Sequence, residues 1–113
     1  MKDDKIYLIH ILECIEKTER FLKSKNQQQD LEMIDDAIIR NLQIMSESTQ
    51  RLSDKIKLSI HDIPWREISD FRNKLVHDYL GIDLEIIYDV IENELPSLKI
   101  KVLEILKNLE FKK

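Results

Sequence analysis

The segment from Arg72 to Tyr79 contains the side chains of this 113-residue chain that are best suited to chemistry. Imidazole is the side chain that titrates nearest to neutral pH, so His77 could accept or donate a proton there. The planar, permanently charged guanidinium of Arg72 could hold two oxygens of a phosphate. The pair therefore indicates proton transfer beside a bound phosphate.

Helical geometry separates these two groups, because side chains five residues apart on an ideal α-helix point in directions that differ by roughly 140° about its axis. Arg72 and His77 should therefore not project from one face of a straight helix. Asn73 lies four positions before His77, where its amide could hydrogen-bond the imidazole and fix its tautomer. Tyr79 lies seven positions after Arg72 and so on the arginine's face.

Motifs of several enzyme classes are absent from the sequence. It has no Gly-rich phosphate loop, no GxSxG and no HExxH, and its three histidines lack the close spacing of metal ligands. We therefore expect neither a metal nor another cofactor. An arginine followed by a histidine is weak evidence by itself, so the surrounding sequence must decide its meaning.

The composition favours helices over strands. Glycine occurs once and proline twice, too few turn residues for a many-stranded sheet. Apolar spacing predicts five helices, at about residues 4–22, 31–57, 64–80, 84–95 and 96–109. Gly81 should end the third as a left-handed cap, and Asp83 should cap the fourth. The prediction is one all-α domain over residues 1–113, an antiparallel four-helix bundle with an additional short helix.

Polar residues interrupt the apolar stripe of the second predicted helix. Asn41 and Ser48 lie on the stripe, and Arg40 and Glu47 lie beside it, seven positions apart. One interpretation is that the polar residues form a buried hydrogen-bonded pair or set the helix register. The other is that Arg40 borders an active cleft.

The net charge of −4 has the wrong sign for binding nucleic acid by bulk electrostatics, so such contact would need a local basic patch. A basic set of this kind lies around the third predicted helix: Arg51, Lys55, Lys57, Arg66, Arg72 and Lys74. Cys14 is the single cysteine, which we expect in the core, and no apolar run reaches the ~18 residues that span a bilayer. We expect a soluble, cytoplasmic protein with no membrane contact.

Two stretches of sequence resemble the signature of the HepT-like HEPN toxins. One comprises IPWREI at 63–68, FRNKLVHDY at 71–79 and GID at 81–83. The other comprises DAIIRNL at 36–42, SES at 46–48 and RLS at 51–53. The resemblance extends from about residue 4 to residue 109, and the Arg-x4-His-x-Tyr motif has the same position relative to both flanking patterns.

This resemblance implies a HEPN-type bundle and a metal-independent endoribonuclease toxin. It further implies a partner, a nucleotidyltransferase antitoxin of the MNT type that adenylylates the motif tyrosine, here Tyr79. Arg72 and His77 inherit the catalytic roles, and Asn73, Lys74 and Arg40 are candidates to support them or to bind RNA. Asp78 departs from the pattern, since a small residue such as glycine is common there.

The implied reaction also indicates how the site is assembled. In RNA the 2′-OH attacks the neighbouring phosphate, so the protein has to move protons and stabilise negative charge. Cleavage with cyclisation requires a base and an acid, and each chain supplies one motif histidine. We therefore expect a homodimer whose two copies share a cleft.

Two non-enzymatic alternatives stay open on the sequence alone. The chain could be a HEPN module that binds a nucleotide or presents a substrate to a partner nucleotidyltransferase. It could also be a structural helical adaptor whose polar stripe sets a dimer register. The joint presence of Arg72 and His77 favours the enzyme over both.

Overall fold

The computed structural model describes residues 2–25, 31–60, 62–77, 81 and 83–111. Over these residues it contains six helices and no strand, which confirms the all-α prediction. The helices are α1 (Lys2–Lys25), α2 (Leu31–Gln50), α3 (Asp54–Ser59), α4 (Trp65–His77), α5 (Leu84–Asn93) and α6 (Leu95–Phe111). No helix in the described ranges combines the length and apolar character needed to cross a membrane.

The second predicted helix ends seven residues earlier than expected, at Gln50 instead of residue 57. Ser53 starts α3, because its hydroxyl accepts a hydrogen bond from the Ile56 N–H at 3.3 Å. The buried carboxylate of Asp4 on α1 accepts from the Ser53 N–H at 2.8 Å and from its hydroxyl at 2.7 Å. The Ser53 N–H is thus bound to α1 and does not continue the α2 ladder.

The prediction for Gly81 is wrong, and the prediction for Asp83 is confirmed. No described glycine has a positive φ, so Gly81 is not a left-handed cap. The physical reason is that Gly81 belongs to a short 3-10 turn, whose right-handed backbone has a negative φ. The Asp83 side chain accepts from the Glu85 N–H at 2.9 Å and caps α5.

The contacts between helices show an antiparallel arrangement. Near its start α1 meets the segment that follows α2, through Asp4 and Ser53, whereas the middle of α1 meets the middle of α2. The end of α2 meets the beginning of α4, where the Gln50 side-chain amide donates to the Ser69 hydroxyl at 3.0 Å. On the other side of α1, Lys99 of α6 donates to Glu19 at 2.8 Å.

The interface between α1 and α2 contains a hydrogen-bonded cluster around Asn41. Its amide nitrogen donates to the Cys14 carbonyl and, at 2.8 Å, to the Thr18 hydroxyl, which itself donates to the Cys14 carbonyl at 2.8 Å. Asn41 and Thr18 are both buried, so their polar groups need these partners. The interpretation of Asn41 as a buried, hydrogen-bonded residue is confirmed. The side chains buried most completely around the cluster are Leu8, Ile11, Ile15, Ile38 and Leu42.

Cys14 lies in this core, as the sequence predicts, with 7% of its surface exposed. Burial raises the pKa of its thiol, which keeps the group protonated at neutral pH. A protonated, enclosed thiol is a poor nucleophile. Cys14 is therefore a packing residue.

Replacing Asn41 by Ala should lower the free energy of unfolding by about 1–3 kcal/mol, because the interface loses two hydrogen bonds and gains a small cavity. Urea unfolding followed by circular dichroism measures the change. Asn108→Ala on the exposed surface of α6 is the matched control and should change it by less than about 0.5 kcal/mol. Equal stability of the two variants would contradict the structural role of Asn41.

Candidate active site

The start of α4 is fixed by Trp65. Its indole N–H is shared between the carbonyl oxygens of Lys57 and Ile60, each 3.1 Å away. The Ile68 N–H then donates to the Pro64 carbonyl at 3.1 Å and closes the first turn. Together with the bond between Gln50 and Ser69, these contacts hold α4 against α2 and α3.

Arg72 projects from α4 toward α2. Its Nη2 lies 3.7 Å from Oε1 of Glu47, and its Nη1 donates to Oδ1 of Asn73 at 3.2 Å. The side chain is 28% exposed, and its Nε is buried with no acceptor among the described residues. Since a guanidinium has five N–H donors, several stay available to an incoming anion. Arg72 is therefore suited to bind a phosphate.

Asn73 supports a different residue from the one expected. The spacing predicts a hydrogen bond from Asn73 to His77, but the amide oxygen accepts from Arg72, and no hydrogen bond joins Asn73 to His77 in the described part of the chain. A hydrogen bond from a charged donor is stronger than one from a neutral imidazole, which explains this choice of partner. Asn73 thus contributes to the setting of the guanidinium.

His77 is the last residue of α4, and its side chain is exposed. The helix is continuous from Trp65 to His77, so the imidazole lies about 7.5 Å along the axis and roughly 140° around it from Arg72. Arg72 faces α2 while His77 faces solvent. Within one chain the two groups are therefore directed to different sides of α4.

Lys74 lies on yet another side of α4. It lines a groove of about 770 Å³ between α4, α5 and α6, whose floor is apolar and includes Phe71 and Ile87. The groove is also lined by acidic residues, namely Asp62, Glu67, Asp70, Asp83 and Glu94. Because carboxylates repel phosphates, this groove is a poor place for RNA, and the structure does not bring Lys74 to Arg72.

Arg40 lies on the exposed surface of α2, seven residues before Glu47 and so about 10.5 Å along the helix. Because α2 and α4 are antiparallel, Arg40 is displaced from Glu47 toward the end of α4 that contains His77. Its neighbour Asn41 points into the core. The two interpretations of the polar stripe therefore apply to different residues, Asn41 being structural and Arg40 remaining a candidate for the border of the cleft.

The sequence does not predict a role for Glu47, which it places only beside the apolar stripe of the second helix. Its spacing gave no indication of a partner 25 residues away, because that contact depends on the packing of α4 on α2.

Tyr79 and Asp78 lie outside the described residues. Among the described residues, no three His, Cys, Asp or Glu side chains are grouped as metal ligands would be.

Comparisons with known proteins relate the chain to one family. The family described as "Ribonuclease HepT-like" matches residues 11–105. The chain is 35% identical over 111 residues to "Gamma-glutamylcyclotransferase and putative RNase MJ0434" of Methanocaldococcus jannaschii, an alignment covering 96% of this chain and 50% of that protein. The chain thus spans half the length of this relative.

Two further relatives are close to this chain in length. It is 34% identical to "Putative RNase TTE0752" of Caldanaerobacter subterraneus subsp. tengcongensis, over 95% of this chain and 97% of that protein. It is 33% identical to "Probable ribonuclease HepT" of Thermococcus cleftensis, over 87% and 91% of the two chains. No solved structure matches the chain.

Proposed function

Because this chain belongs to the HepT-like ribonuclease family, we propose that it is a metal-independent endoribonuclease that acts as the toxin of a toxin–antitoxin pair. The observation that carries the proposal is Arg72, whose guanidinium is held by Glu47 and Asn73 while several of its N–H donors stay available, on the same helix as an exposed His77. The ribonuclease names of three relatives support the substrate class. Cys14, a lone buried thiol, suits a reducing cytoplasm.

The proposed reaction uses the substrate's own nucleophile. A base removes the proton of a 2′-OH, the 2′-oxygen attacks the adjacent phosphorus, and the bond to the 5′-oxygen breaks as an acid protonates it. Arg72 stabilises the extra negative charge on the phosphate oxygens, and His77 transfers a proton. The products are a 2′,3′-cyclic phosphate and a free 5′-OH.

Replacing His77 by Ala should reduce the rate of RNA cleavage by about 10²–10⁴-fold, because a proton-transfer group is lost. The measurement is cleavage of a fluorescently labelled RNA in buffer containing EDTA, with folding checked by circular dichroism. His10→Ala on the exposed side of α1 is the matched control and should cleave like the unmodified chain. Cleavage by His77→Ala at the control rate, or cleavage that stops in EDTA and returns with Mg²⁺, would count against this mechanism.

We further propose that the active form is a homodimer with a composite cleft. Arg72 and His77 of one chain are directed roughly 140° apart, so a second copy related by a two-fold axis is needed to bring an arginine and two histidines around one phosphate. Arg40, exposed on α2 toward the same end of α4, would then border the cleft and contact the RNA backbone. An RNA-binding role for Lys74 stays a prediction.

Mixing Arg72→Ala subunits with His77→Ala subunits should give more cleavage than either variant alone, because a mixed dimer combines an intact arginine with one intact histidine. The rate should stay below that of the unmodified chain, because each shared cleft then lacks its second histidine. Subunit exchange is verified by mass spectrometry on differently tagged chains. Each variant mixed with itself is the control. Mixtures that exchange fully but regain no cleavage would argue against a shared site.

Regulation by a nucleotidyltransferase antitoxin is the remaining part of the proposal. Tyr79 follows His77 by two positions, and adenylylation would add a bulky anionic phosphodiester there. That group would compete with the RNA phosphate for Arg72.

A chain that is adenylylated at Tyr79 should therefore no longer cleave RNA. The Tyr79→Phe variant should cleave RNA and should not be adenylylated. The test compares cleavage rates before and after incubation with ATP and the cognate nucleotidyltransferase, with the modified site located by mass spectrometry. Modified chain that cleaves as fast as unmodified chain would refute this form of control.

A further inference from the structure

We propose that Glu47 is a positioning residue for Arg72, a role that rests on the proposed ribonuclease function. Glu47 approaches from α2 and Arg72 from α4, and their charged groups are 3.7 Å apart. The Glu47 side chain is 39% exposed and that of Arg72 28% exposed, so water screens the pair only in part. Glu47 therefore attracts the guanidinium toward one place on α2.

The guanidinium has a partner at each of its terminal nitrogens. Glu47 faces Nη2, and the Asn73 amide oxygen accepts from Nη1 at 3.2 Å. An arginine side chain has four rotatable bonds, and two partners on opposite ends of its planar group restrict the last of them. Arg72 is thereby oriented before a phosphate arrives.

Both partners of this ion pair stand on rigid elements. One turn along α2 from Glu47, the Gln50 amide donates to Ser69, which lies one turn before Arg72 on α4. The two contacts form successive rungs between the same pair of helices. Side chains supported in this way are held more closely than side chains on loops, as the alignment of reacting groups requires.

The distance between Glu47 and Arg72 also shows that the Nη2 donors of Arg72 stay available. At 3.7 Å the carboxylate attracts Arg72 without a close hydrogen bond, so the Nη2 donors are not saturated. A phosphate can take them while Glu47 still restrains the group. Positioning of this kind acts on the transition state and lowers kcat when removed, whereas simple repulsion of RNA by Glu47 would act on KM.

The test is steady-state RNA cleavage by Glu47→Ala and Glu47→Gln. We expect kcat to fall about tenfold or more in Glu47→Ala, with KM within about twofold of the unmodified value. Glu47→Gln keeps the side-chain length and an acceptor oxygen, so its loss should be smaller. Glu104→Ala on the exposed surface of α6 is the matched control and should keep both constants.

Two measurements separate positioning from other roles. In an Arg72→Ala background Glu47→Ala should cause no further loss of rate, since Glu47 acts through Arg72. The shape of the pH–rate profile should be unchanged in Glu47→Gln. Additive losses, a lost acid limb of the profile, or a lower KM with unchanged kcat would each overturn the proposal.

A measurement without RNA shows whether the variant is folded and whether the Arg72 contact has changed. It also allows the role of Glu47 to be tested separately from the proposed function. In nitrogen-15 NMR spectra the Arg72 Nε–Hε signal should shift in Glu47→Gln and not in Glu104→Gln, and an unshifted signal in folded Glu47→Gln overturns the positioning role. An unmodified chain that cleaves no RNA overturns the proposed function itself. An unmodified chain that cleaves RNA, with Glu47→Ala equally fast, overturns the role of Glu47 alone.

Discussion

The rest of the structure depends on the requirement that the Asn41 amide, buried between α1 and α2, be hydrogen-bonded. The observed alignment of the two helices places it against the Cys14 carbonyl and the Thr18 hydroxyl. An alignment that left the buried amide without a partner would cost about 1–3 kcal/mol, a substantial fraction of a small domain's stability. Since α2 also carries Glu47 and Gln50, the position of α2 on α1 affects where α4 docks.

Because α4 packs on α2, the sides of α4 have different surroundings. The side with Ser69 and Arg72 meets α2, the side with Phe71 and Lys74 borders an acidic groove, and His77 ends the helix in solvent. In a chain of net charge −4, this division keeps Arg72 apart from the five carboxylates of the groove. It also shows how a guanidinium on an acidic protein can stay accessible to an anion.

Arg72 is contacted by residues that are far apart in the sequence. Glu47 and Asn73 are 26 positions apart, yet both lie on the guanidinium. The carboxylate supplies long-range attraction, and the amide supplies a directional hydrogen bond. Such an arrangement favours a fixed arginine over a mobile one, as a site for phosphate transfer requires.

The sequence by itself determined the features that depend on local periodicity. These are the all-α class, the cap at Asp83, the helix break near Pro96, the burial of Cys14, and the angle between Arg72 and His77. They were predictable because helical spacing and capping involve residues within about four positions of one another. Only the tertiary structure decided the end of α2, the partner of Asn73, the separation of Lys74 from Arg72, and the approach of Glu47. The end of α2 depends on Asp4, which is 49 residues from Ser53. The approach of Glu47 to Arg72 depends on the packing of α2 against α4. Contacts between residues so far apart follow from the relative positions of whole helices and leave no local pattern in the sequence.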